Sequence, residues 1–183
     1  MNRSPLIALC ALALLVGGTR TITARDSAAE ITRDSQAALA SLYGKVPKAK
    51  ELGAKAEGIL VFPKIVKAGL GIGGQRGEGA LLKGGKPAAY YRTTGGSFGL
   101  QIGGQSYGYV LFFMNAKALA ELDNSGGFEV GVGPSIVLLD EGKAKNMTTT
   151  TAKDDVYAFI FDQKGLMAGA GIQGNKVSKI TPD

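Results

Sequence analysis

The stretch Gly58–Leu82, GILVFPKIVKAGLGIGGQRGEGALL, limits the possible folds of this chain more than any other. An apolar run, Ile59–Phe62, breaks at Pro63, and glycine then takes nearly every second position. The pattern is repeated. Gly69-Leu70-Gly71-Ile72-Gly73-Gly74-Gln75 returns as Gly99-Leu100-Gln101-Ile102-Gly103-Gly104-Gln105, with a weaker echo in Gly169-Ala170-Gly171-Ile172-Gln173-Gly174. Alternate residues of a strand share a face, so this pattern strips one face of side chains. Another backbone can then approach closely, or the strand can bend sharply. Gly69, Gly71, Gly73, Gly74, Gly99, Gly103, Gly104, Gly169 and Gly171 are therefore read as architecture, three related strands of one sheet.

The rest of the chain fits an α+β, sheet-rich fold. Arg25–Tyr43 reads as a helix capped by Asp26 or Ser27, with Glu30 placed for a capping box. Ala28, Ile31, Ala38, Leu39 and Leu42 fall along one face, suited to docking on the sheet or to lying on a membrane surface. Pro47–Ala56 reads as a second helix with proline at its start. Pro63–Lys67 reads as a turn or single helical turn, Arg76–Gly79 as a polar corner, Gly84-Gly85 as a hairpin turn and Thr93–Ser97 as a loop. Val110–Met114 is apolar on both faces and so central, and Ala116–Leu122 is a short helix. Phe128–Val132, Pro134–Leu139, Val156–Phe161 and Val177–Ile180 read as further strands, with Asp162–Gly165 as a turn. The expectation is a strongly bent antiparallel sheet or barrel of about eight or nine strands, two N-terminal helices and one short internal helix. One domain covers residues 26–183, since 183 residues scarcely allow two.

Residues 1–24 have the layout of a secretory signal peptide: Arg3, the apolar run Leu6–Val16, then Gly17, Gly18 and Thr19. Cleavage falls after Gly18 or after Ala24, and the apolar run is too short for a permanent span. Cys10 is signal-peptide filler or an acylation site. The protein is then exported: periplasmic, outer-membrane-associated or secreted. Removal of residues 1–24 takes away Arg3 and Arg20 and no acid, leaving a mature charge of about +4 that suits anionic partners.

The chain has no histidine, no tryptophan and one cysteine. That excludes a Ser-His-Asp triad, a Cys-His pair, histidine-ligated metals and four-cysteine zinc sites. Gly69-x-Gly71-x-x-Gly74 matches the dinucleotide fingerprint in letters, but Gln75-Arg76-Gly77-Glu78-Gly79 is a poor helix start, and that helix is what binds the pyrophosphate. No nucleotide, cofactor or metal is expected, and the tyrosines form no stacking platform for nucleic acid. Asp154, Asp155 and Glu78 are the carboxylates a hydrolase would need, and adjacent loop carboxylates usually point apart. Lys45, Lys48, Lys50 and Lys55 make the densest basic stretch, and Lys64, Lys67 and Arg76 flank the first glycine run. Lys153 follows the run Thr148–Thr151, where hydroxyls and an ammonium suit a phosphate.

The segment Gly58–Leu82 resembles the hallmark of the SYLF domain family. Ser97-Phe98-Gly99-Leu100-Gln101-Ile102-Gly103, Phe128-Glu129-Val130-Gly131-Val132, Thr149-Thr150-Thr151-Ala152-Lys153-Asp154 and Gly165-Leu166-Met167-Ala168-Gly169 agree in order and spacing. The resemblance covers about residues 37–181, and with the signal peptide it suggests a bacterial secreted member. It implies binding of phosphoinositides or other anionic lipids, no enzymatic activity and, in some members, binding of actin filaments. On that reading Lys45, Lys48, Lys50, Lys64, Lys67, Arg76 and Lys153 meet the anionic phospholipid headgroups. The alternative is a structural or protein-interaction protein of the envelope, with a protein partner or self-assembly through a sheet edge.

Overall fold

The computed structural model describes residues 26–123, 128–129, 136–139, 154–165 and 175–183. The signal segment, Lys153, Gly169, Gly171 and the third glycine run lie outside them. Helices α1 (Ala28–Lys45) and α2 (Pro47–Gly53) lead into two long strands, β1 (Gly58–Lys83) and β2 (Lys86–Phe113). A short helix α3 (Ala116–Ala120) and a 3₁₀ turn (Glu121–Asp123) follow. Four shorter strands complete the described chain: β3 (Phe128–Glu129), β4 (Ile136–Leu139), β5 (Val156–Gly165) and β6 (Lys176–Ile180).

The α+β, sheet-rich class holds, but the strand count changes. Six strands are described, in one open sheet ordered β3-β6-β2-β5-β4 with β1 paired to β2. All pairings are antiparallel except β4 with β5. Segments expected as separate strands merge. Pro63–Lys67 is neither a turn nor a helix but part of β1, with a bulge between Phe62 and Ile65 that accommodates the proline. Arg76–Gly79 and Thr93–Ser97 are likewise strand, and β5 runs on through the expected turn to Gly165. The turn at Gly84-Gly85 is as expected. Both residues have positive φ, 57° and 77°, the geometry a two-residue hairpin connection requires.

The two clear copies of the glycine repeat are the two arms of this hairpin. Gly69 faces Gly103, and Leu70 faces Ile102, with a register shift before Ile72 meets Phe98. There the hairpin folds back on itself. At the usual rise a straight strand would hold Val61 and Ala80 about 60 Å apart. Instead both reach one side chain: Ser35 Oγ donates to the Val61 carbonyl at 3.2 Å and accepts from the Ala80 amide at 3.3 Å. Gly79 sits at the crossing, where an added Cβ would lie 2.1 Å from the Val61 carbonyl oxygen.

Both faces of the folded sheet are buried. Helix α1 starts at the capping box of Ser27 and Glu30, and lays Ile31, Ser35, Leu39 and Leu42 on the sheet. With Val46, Ala49 and Leu52 they cover Val61, Ala80, Leu82, Val110, Phe112, Tyr157, Phe159 and Phe161. The alternate residues point inward: Leu60, Phe62, Ile65, Leu81, Tyr91, Leu111, Phe113, Val156, Ala158 and Val177 form a second core between the two limbs. Each fully buried Leu or Phe contributes about 1.5–3 kcal/mol, against about 0–1 kcal/mol for an exposed ion pair. Two apolar layers therefore hold the fold.

Candidate functional site

The lysines singled out in sequence do not form one patch. On α2, Lys48 pairs with Glu51 at 2.8 Å, and Lys50 is exposed. Lys48 acts electrostatically on Tyr157, so it sits by the start of β5. Lys45, at the end of α1, pairs with Asp162 near the other end of β5. Lys64 is exposed in the β1 bulge. Lys67 is only 3% exposed and faces the interior. Arg76 bonds Glu78 at 2.9 Å, and Arg92 bonds the same oxygen at 2.7 Å. Burial works to raise the Glu78 carboxyl, but those two arginines outweigh it and hold it below its usual value.

One exposed combination was not visible in the sequence. Val66 faces Ser106 on β2, and Ser106 faces Lys164 on β5, so the three form one rung across the sheet. Val66 is 48% exposed, the one large apolar side chain so exposed among the described residues. Lys164 is exposed too, and Lys64 lies two residues from Val66. The rung depends on long-range register, which no local pattern carries.

The acidic candidates are engaged elsewhere. Asp155 accepts from Asn115 Nδ2 at 2.7 Å, and Asn115 caps α3. The Asp154 amide donates to the Tyr157 hydroxyl at 3.0 Å. Among the described residues no cluster of three potential metal ligands occurs, and no helix is long and apolar enough to cross a membrane.

The interior between the limbs changes character along its length. Beyond the apolar core, Lys67, Gln75 (9% exposed), Thr93, Gln105 (7%) and Asn175 are all buried. The Tyr107 hydroxyl donates to Gln75 Oε1 at 2.9 Å, and Gln75 Nε2 donates to Asn175 Oδ1. Thr93 Oγ1, Gln105 Oε1, Tyr109 Oη and Asn175 Nδ2 have no hydrogen-bond partner among the described residues. A buried polar atom left unpaired costs about 1–3 kcal/mol, so four such atoms are a feature to be explained. Burial pushes the Tyr107 phenol up to about 12 and the Tyr109 phenol higher still. Of the glycines assigned to architecture, Gly103 has φ 136°, which an L side chain rarely adopts, while an added Cβ at Gly74 or Gly104 would find ordinary space.

Residues 94–181 match the family model of Ysc84, described as Las17-binding protein actin regulator. Over that stretch the chain is similar to the Ysc84, or SYLF, family. The Ysc84 match takes in the C-terminal part of β2 together with β5 and β6, so both limbs of the fold border it. No curated protein matches the chain.

Proposed function

We propose that the protein is a non-catalytic module that docks on anionic membrane surfaces outside the cell that makes it. The carrying observation is the exposed rung that runs from Val66 in β1 to the end of β5. Val66 is flanked there by Lys64 and, in register, Lys164, with Lys45 close by through Asp162. An apolar side chain ringed by ammonium groups suits a headgroup layer, where each lysine contributes about 1 kcal/mol. Phosphoinositides are one such anionic surface, and phosphatidylglycerol is the simpler probe.

Co-sedimentation of the full chain with phosphatidylglycerol and with neutral phosphatidylcholine vesicles tests this. Binding is expected only to the anionic vesicles, and it should weaken as salt shortens the screening length to about 10 Å or less. Lys64→Glu with Lys164→Glu should lower it by about tenfold or more. Equal binding to both vesicle types, or binding indifferent to salt, defeats the proposal. The matched family, described as Las17-binding protein actin regulator, favours a second reading, binding to actin or to a protein that acts on it. Co-sedimentation with actin filaments in lipid-free buffer tests that separately.

A further inference from the structure

β1 runs along one edge of β2 for nearly its whole length. The other edge carries β5 and then β6, with a gap between them. Pairing with β5 stops at Gln105, and pairing with β6 starts at Thr94. Over 95–104 that edge of β2 has no partner strand among the described residues. An open edge in mid-sheet is a template for another strand, whether an extended peptide, a second copy or the chain itself.

Three observations name the occupant. The first is register. Gln105 faces Gly165, and Thr94 faces Lys176. Ten residues of β2 (95–104) lie between these pairs, and ten residues of the chain (166–175) join them. An antiparallel ladder advances one residue on each strand per step, so one unbroken register serves both flanks. On the β1 side, by contrast, three residues of β2 face one of β1 between Leu70–Ile102 and Ile72–Phe98. The second observation is contact at both ends of the gap. An added Cβ at Gly165 would strike the Gly104 backbone. An added Cβ at Gly95 would meet Asn175 Oδ1 as well as Gln75 Nε2, so Asn175 already stands at the next step of the ladder before β6 begins.

The third observation is the sequence. Continued from Asn175, the register sets Gly174 opposite Gly96 and Ile172 opposite Phe98. β1 sets Gly74 opposite Gly96 and Ile72 opposite Phe98. Gly71-Ile72-Gly73-Gly74 and Gly171-Ile172-Gln173-Gly174 would therefore flank β2 in the same phase. Backbones crowd at a sharp bend, and glycine is the residue that permits it, which gives the third copy of the repeat a reason to exist.

We propose that residues 166–175 dock on the open edge of β2 over 95–104, in the register that pairs Leu100 with Ala170. β5 and β6 are then one strand, and the bend is a ribbon of three glycine-rich strands. This holds whether or not the protein meets a membrane. The edge is closed to an extended peptide or a second copy, and assembly by strand pairing has to use a different edge.

Paired cysteines in the full chain, with Cys10→Ser, test the register. Leu100→Cys with Ala170→Cys, and Ile102→Cys with Ala168→Cys, place cysteines directly opposite, at the separation of about 4.4–6.8 Å that a disulfide needs. The crossed pairs, Leu100→Cys with Ala168→Cys and Ile102→Cys with Ala170→Cys, use the same four substitutions at diagonal positions about 7–8 Å apart. The direct pairs should close within one chain about tenfold or more faster than the crossed ones. Closure of the crossed pairs as readily, or of none, overturns the proposal. Covalent dimers overturn it too, because a second copy would then hold the edge. Hydrogen exchange on the unaltered chain decides the matter if the variants do not fold. Every second amide of 95–104 points away from β1. These amides should exchange about tenfold or more slowly than exposed loop amides, and exchange at the loop rate overturns the proposal.

Discussion

The two ends of the sheet interior are built from the same two strands and differ in nearly everything else. At one end Leu60, Phe62, Leu111 and Phe113 pack with no polar atom to satisfy. At the other, Lys67, Gln75, Thr93, Gln105 and Asn175 are also buried, and Thr93, Gln105 and Asn175 each carry an atom unpaired among the described residues. The difference teaches where stability resides. The apolar end alone can hold the limbs together, which frees the polar end to be imperfectly paired.

The largest effect should come from destroying the crossing on which both ends depend. Gly79→Val places a Cβ against the Val61 backbone, which cannot yield as a flexible side chain would. Loss of about 3 kcal/mol or more, or failure to fold, is expected in urea titration. A smaller effect sharpens the contrast between the ends. Leu111→Ala should cost about 2–5 kcal/mol through the cavity it leaves. Gln75→Leu, which strands the Tyr107 hydroxyl, should cost about 1–3 kcal/mol. Equal costs would mean that the polar end is as structural as the apolar one.

The smallest effect is a matter of pH. Tyr107 has its pKa raised from 10.0 to about 12 by burial, so the folded state favours the neutral phenol. Its contribution is fully present below pH 10.0, where unfolded tyrosine is still protonated, and is lost as pH rises toward about 12. Tyr91 and Tyr109 shift in the same direction, burial being the first cause in both. The urea midpoint should therefore fall through that window, and Tyr107→Phe should lessen the fall.

Local signals in the sequence were sound where they concern short-range geometry. Ser27 and Glu30 marked the start of α1, Pro47 the start of α2, and Gly84-Gly85 the hairpin turn. Strand continuity was hidden because glycine carries no side chain, so the apolar–polar alternation that marks a strand vanishes over Gly69–Gly79. Pro63 looked like an end of the strand because a proline cannot donate to a ladder, yet the bulge absorbs it. That bulge also resets the phase. Ile65 and Lys67 face inward with Phe62, so a lysine read as surface charge lies inside. Ser35 gave no sign of its role, since its partners Val61 and Ala80 meet it only after the hairpin bends.

The crossing at Ser35 also bears on synthesis. Helices α1 and α2 leave the ribosome first, but the surface they cover is complete only when Phe161 of β5 has been made. At about 5–20 residues per second, the roughly 110 residues between the end of α2 and Phe161 take about 5–22 s. Through that interval Ile31, Leu39 and Leu42 have only part of their native surface, and the nascent chain must be kept from finding another.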